Sequence, residues 1–129
     1  MKFSLLVLAN PYSSQGSLSA LKFAKAAINQ GHEIYRVFFY HDGVHSGSNL
    51  QSPAQDELNI QANWSAFSKT HNTDLVICIA AALKRGVLNQ EEAQRYEKNQ
   101  FNLDDAFELS GLGQLLDAQI HSDRVVTFK

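Results

Sequence analysis

The apolar run Leu75-Val-Ile-Cys-Ile79, followed by three alanines and then Leu83-Lys-Arg-Gly86, constrains this chain more than any other stretch. A strand without polar alternation has no face to give to water, so both faces must be covered. In practice that means a parallel sheet with helices on either side. The polar Asn72-Thr73-Asp74 opens the strand, Ala80 to Ala82 start a short helical segment, and Gly86 suits its C-cap. Cys78 then falls near the carboxyl end of a central strand, at a strand-to-helix turn. Ligands and reactive groups collect on that edge of open α/β sheets. Backbone N–H groups at a helix start carry partial positive charge, which favours a thiolate. A lone cysteine is also commonly an inert buried hydrophobe, so this stretch alone leaves a reactive and a structural cysteine both open.

The rest of the chain repeats the strand-helix alternation. Phe3 to Ala9 is nearly all apolar and reads as a first buried strand rather than a signal peptide, since Asn10-Pro11-Tyr12 makes a poor cleavage site. Ser17 is placed to cap a helix running to about Gln30, with Leu18, Leu21, Phe23, Ala24, Ala27 and Ile28 as its apolar face and Gly31 at C′. Glu33 to Tyr40 is a second strand. His41 to Gln51, with breakers at Gly43, Gly47 and Asn49, reads as a mobile loop on the same edge as Cys78. Ser52 and Pro53 suggest an N-cap and N1, with Gln55 in capping-box position, for a helix carrying Ile60, Trp64 and Phe67 and ending near His71-Asn72.

Asn89 with Glu92 forms a second capping box, for a helix to about Asn99. Phe107 to Leu109 is a short fourth strand. Ser110-Gly111-Leu112-Gly113 turns into a helix reaching about Ile120, and Val125 to Phe128 is the last strand. The expected fold is a single α/β domain over residues 1–129, a three-layer α/β/α sandwich around a mainly parallel five-stranded sheet with right-handed crossovers. Strand order is not legible.

Charge and cysteine content exclude several function classes. Eleven Lys and Arg stand against thirteen Asp and Glu, net −2, with no basic stripe to neutralise phosphates. Direct nucleic-acid binding is therefore not expected. No segment is apolar enough to span a bilayer, and one cysteine cannot form an internal disulfide, so the cytoplasm is the expected compartment.

His41-x-x-x-His45 lacks the further ligands that a zinc site needs, and no metal is expected. Ser110-Gly111-Leu112-Gly113 falls short of a dinucleotide-binding pattern and suits a tight βα turn. No Gly-x-Ser-x-Gly elbow is present. Lys84 and Arg85 end the short helix, where cations are favoured, and are also placed to hold an anionic sulfur or an acidic partner.

Five blocks in register carry a resemblance over nearly the whole chain. They are Phe38-Phe-Tyr-His-Asp-Gly-Val44, Ser52-Pro-Ala-Gln-Asp-Glu57, Ile77-Cys-Ile-Ala-Ala-Ala-Leu-Lys-Arg-Gly-Val87, Leu109-Ser-Gly-Leu-Gly113 and Asp123-Arg-Val-Val126. In these the sequence resembles the TusD/DsrE family of sulfur-transfer proteins. The resemblance implies a DsrE-like fold and a sulfurtransferase that accepts sulfane sulfur as a persulfide on Cys78. It implies assembly with TusB-like and TusC-like subunits as a dimer of heterotrimers. It also implies a TusA-like sulfur donor, a TusE-like acceptor, and a relay ending in the 2-thio group of a tRNA wobble uridine. Relatives in sulfur oxidisers suggest an alternative end for the sulfur. The chemistry fits the residues: such a relay needs one accessible thiolate, small neighbours such as Ala80 to Ala82, and no cofactor.

Overall fold

Strands β1 (Lys2–Val7), β2 (Glu33–Phe39), β3 (Asp74–Cys78), β4 (Phe107–Ser110) and β5 (Arg124–Phe128) form one sheet in the order β4-β3-β2-β1-β5. Every pairing is parallel in the computed structural model, which describes residues 1–129. The three inner strands supply the fully buried Leu5, Val7, Val37, Phe38, Phe39 and Ile77, as strands covered on both faces must. Helices α1 (Gly16–Asn29), α2 (Ile60–His71), α3 (Ile79–Leu83) and α4 (Gln90–Arg95) connect β1 through β4 in one direction across the sheet. The chain then doubles back through α5 (Gly113–His121) to place β5 beside β1. With right-handed crossovers this reversal puts α5 on the face opposite α1 and α2, giving the three layers.

Four local expectations are corrected. Ser17 does not cap α1: it lies inside the first turn, fully buried, with its hydroxyl 3.1 Å from Ser46 Oγ and accepting from Trp64 Nε1 at 3.2 Å. A small polar residue there serves a buried tertiary network rather than a helix end. Residues 41–51 are not a mobile loop, since His41–Gly47 is a 3₁₀ helix with Gly43, Val44, Ser46 and Gly47 buried. Its glycines provide closeness rather than freedom. A Cβ on Gly43 would stand 2.1 Å from the Val7 carbonyl oxygen, and one on Gly47 2.4 Å from Ile77 Cδ1.

Ser52, Pro53 and Gln55 open no helix. α2 begins at Ile60, where Asn59 Oδ1 accepts from the Ala62 N–H at 3.0 Å. Asparagine is as good a cap as serine, and apolar periodicity starts only at Ile60. Finally, α4 stops at Arg95 rather than near Asn99, although Asn89 caps it as expected by accepting from the Glu92 N–H at 2.9 Å. Gly31 and Gly86 take the positive φ expected after helices, at 86° and 76°.

One polar network at the amino end of the sheet escaped sequence reading. Arg36, in an otherwise apolar strand, is only 7% exposed. It donates to Asp117 Oδ2 at 2.7 Å, the Gln114 carbonyl at 2.9 Å and Asp74 Oδ2 at 3.1 Å. Tyr35 adds a bond to Asp117 at 2.8 Å. These contacts tie α5 to β2 and β3. The Tyr35 hydroxyl and then Arg36 hold the Asp117 carboxyl below its ordinary value, and the same bond raises the Tyr35 phenol. A lone arginine in the β2 run was the available signal, since a buried guanidinium must be paired.

Candidate functional site

β3 carries Cys78 to the carboxyl edge of the sheet, and the backbone passes from that residue straight into α3. Cys78 is the N-cap of α3 through its backbone alone; its side chain makes no capping bond. β3 is an inner strand, with β2 on one side and β4 on the other, where Cys78 lies in register with Ser110. The thiol is packed into the core cluster and only 4% exposed. Free access, as the sequence suggested, is therefore not what the fold provides. The flanking strands and the 3₁₀ helix packed beside α3 cover the residue, and it is reached through a pocket.

That pocket measures about 250 Å³. The end of β2 contributes Tyr40 and His41, α3 contributes Ile79, Ala80 and Ala81, and Lys84 and Arg85 follow from the end of α3. Gly111 and Leu112 close it from the turn after β4. Three strand ends thus meet around the sulfur, and they come from three separated parts of the sequence. The alanines leave space that larger side chains would fill. The Ser110 to Gly113 stretch is a βα turn against the cysteine.

Electrostatically, the wall is cationic, with no Asp or Glu among its lining residues. Arg85 Nε donates to Asp42 Oδ1 at 2.8 Å, and its NH1 donates to the Ala81 carbonyl at 3.2 Å. This pair fastens the 3₁₀ helix to α3 and holds the Asp42 carboxyl below its ordinary value. His41 has φ of 49°, a conformation few non-glycine residues adopt, and its ring lies 4.4 Å from that of Tyr40. His45 sits four residues on, half-buried on the 3₁₀ helix. Sequence reading named Cys78, the alanines, Lys84 and Arg85. It missed Tyr40, His41 and the Asp42–Arg85 pair as one group, although their place at the end of β2 was a usable signal. A larger hollow, about 810 Å³, lies beyond Lys84 between Leu88, Tyr96 and Phe101, and no cysteine lines it.

Fold and site together define a class: small wound α/β domains with a single cysteine at a strand-to-helix junction on the carboxyl edge of a parallel sheet. The chain belongs to the DsrE/DsrF-like family, whose model matches residues 1–128. It is 49% identical over 128 residues to the sulfurtransferase TusD homolog of Pseudomonas aeruginosa, covering 99% of this chain and 97% of that protein. It is 47% identical to a protein of Allochromatium vinosum provisionally named sulfurtransferase DsrE, covering 99% and 98%. A TusD homolog of Vibrio vulnificus matches at 44%, with the same coverage. Among solved structures, the crystal structure of the YchN protein from E. coli superposes with a TM-score of 0.79 at 24% identity, covering 99% of both chains. That likeness establishes the shared fold.

Proposed function

We propose that this sulfurtransferase stores sulfane sulfur as a persulfide on Cys78 and passes it to a cysteine of a partner protein. The observation that carries the reading is the position of the chain's only sulfur nucleophile, at the junction of β3 and α3 in a pocket walled by alanines and cations. In the loading step the Cys78 thiolate attacks the terminal sulfur of a donor persulfide. The donor's inner S–S bond breaks and its electron pair leaves with the donor as a thiolate. Cys78 then bears S–SH. Unloading repeats the exchange, with an acceptor thiolate attacking the terminal sulfur and Cys78 leaving as thiolate. The sulfane sulfur keeps its oxidation state throughout, so no external oxidant, reductant or cofactor enters.

We take the donor as TusA-like, the acceptor as TusE-like, and the setting as a cytoplasmic dimer of heterotrimers with TusB-like and TusC-like subunits. The sulfur is destined for the tRNA wobble uridine. A second end for the sulfur, sulfur oxidation, is the alternative that the DsrE resemblance implies.

Intact-mass measurement after incubation with a persulfide donor tests the core of the reading. Wild-type protein should gain one sulfur on the peptide containing Cys78 and release it to reductant. Cys78→Ala and Cys78→Ser should gain none and should stop thiolation in a reconstituted relay. Because Cys78 is packed in the core, the serine hydroxyl should cost about 1–3 kcal/mol, the penalty for an unpaired buried polar group, which makes alanine the cleaner variant. Sulfur transfer that continues in a folded Cys78→Ala protein would make the chain a scaffold subunit.

A further inference from the structure

We propose that Lys84 is the anion-holding residue of this site, its ammonium pairing with the terminal sulfur of the loaded persulfide in its deprotonated form. The inference deepens the persulfide reading above and rests on it. Two permanent cations line the Cys78 pocket, and only one is uncommitted. Arg85 spends its Nε on Asp42 and its NH1 on the Ala81 carbonyl, whereas the Lys84 ammonium has no hydrogen bond or ion pair within the chain, its backbone N–H alone being bonded, to the Ala80 carbonyl. No carboxylate lines the pocket to compete for it, in a chain whose net charge is −2. Lys84 also lines the larger neighbouring groove, so it stands where the two hollows meet. Its four-carbon stem can follow a sulfur that moves outward by one S–S bond on loading, a reach the fastened Arg85 guanidinium lacks.

The chemistry sets the direction of the effect. A persulfide whose terminal S–H has given its proton to water carries a negative charge on that sulfur, which repels an incoming thiolate and makes the sulfur a poor electrophile. The protonated form is the one attacked. An ammonium beside the terminal sulfur favours the anion and preserves the stored sulfur until an acceptor displaces it. A cation at the end of α3 also complements the helix dipole, so the test needs readouts that a purely structural role leaves unchanged.

The first readout is the ratio of Cys78 alkylation rates by iodoacetate and by iodoacetamide, in wild type, Lys84→Ala and Lys84→Arg. The two reagents differ chiefly in the charge near the reacting carbon. The ratio should fall several-fold in Lys84→Ala, return in Lys84→Arg, and fall in wild type at high salt. The second readout loads each protein from inorganic polysulfide and follows sulfur loss to dithiothreitol by intact mass. Lys84→Ala should lose its sulfur about tenfold faster, the lower end of what a charge-assisted hydrogen bond contributes, and Lys84→Arg should behave as wild type. Equal ratios and equal lifetimes in wild type and Lys84→Ala would overturn the assignment while leaving Cys78 as the carrier. A wild-type protein that takes up no sulfur at all would overturn the carrier reading, and this assignment with it.

Discussion

Replacing Gly43 with alanine should disturb the fold and the cysteine site together. Gly43 lies in the 3₁₀ helix, where an added Cβ would stand 2.1 Å from the Val7 carbonyl oxygen and 2.9 Å from its carbon. Ordinary contact begins at 3.4 Å, so the helix must retreat by about 1.3 Å. The obstacle is backbone at the end of β1, an inner strand, and it cannot rotate away as a side chain would. That carbonyl already accepts the Tyr40 N–H at 2.9 Å, a bond the retreat would strain. Overpacking of this kind costs about 1–3 kcal/mol, and a weakened buried hydrogen bond adds about 1 kcal/mol. Alanine recovers about 0.4–1 kcal/mol by restricting the unfolded chain.

The net loss should be about 2–3 kcal/mol. With a urea m-value of about 2 kcal/mol/M, the unfolding midpoint should fall by about 1–1.5 M. Asp42 neighbours Gly43, so the Asp42–Arg85 fastening should loosen too, and native-state alkylation of Cys78 should accelerate. Urea unfolding and iodoacetamide kinetics on the same variant provide both measurements. A midpoint within about 0.2 M of wild type, with unchanged alkylation, would show that the 3₁₀ helix is not held against β1 as argued, since that shift is worth only about 0.4 kcal/mol.

Ser17→Ala should cost about 1–3 kcal/mol in urea unfolding, because it leaves the buried Trp64 N–H and the Ser46 hydroxyl short of a partner; a cost near zero would remove the network's claimed role. Asp117 has a folded value below its ordinary 3.8, so its contribution is fully present above that unfolded value and is lost as pH falls through the lower folded one. Asp117→Asn should therefore flatten the acid limb of the stability-against-pH curve below about pH 4, and an unchanged limb would count against the pairing. Co-expression with two related small subunits should give a stable complex by light scattering, whereas a monomer indifferent to both would argue against the proposed assembly.

Local signals in the sequence determined a good deal. Nearly unbroken apolar runs can be covered only between helices, so Phe3–Ala9 and Leu75–Ile79 read as buried strands, and β1 and β3 are inner strands of the sheet. Asn89 as a cap and Gly31 and Gly86 as helix stops were equally legible, because capping depends on residues within one turn. So was the position of Cys78 at a strand-to-helix junction.

Tertiary structure decided what surrounds that cysteine. The order β4-β3-β2-β1-β5 sets the ends of β2 and β4 on either side of β3, bringing His41 and Gly111 to one pocket from positions 70 residues apart. It also settled the meaning of Gly43 and Gly47. Along the chain a glycine signals conformational freedom; here each marks a place where another segment comes too close for a side chain. Ser17 is the same case, a cap by its neighbours in sequence and a buried partner of Trp64 and Ser46 by its neighbours in space. Periodicity and capping are local, so one sequence reveals them. Close approach and pairing belong to two segments at once, and they exist only when the sheet has brought those segments together.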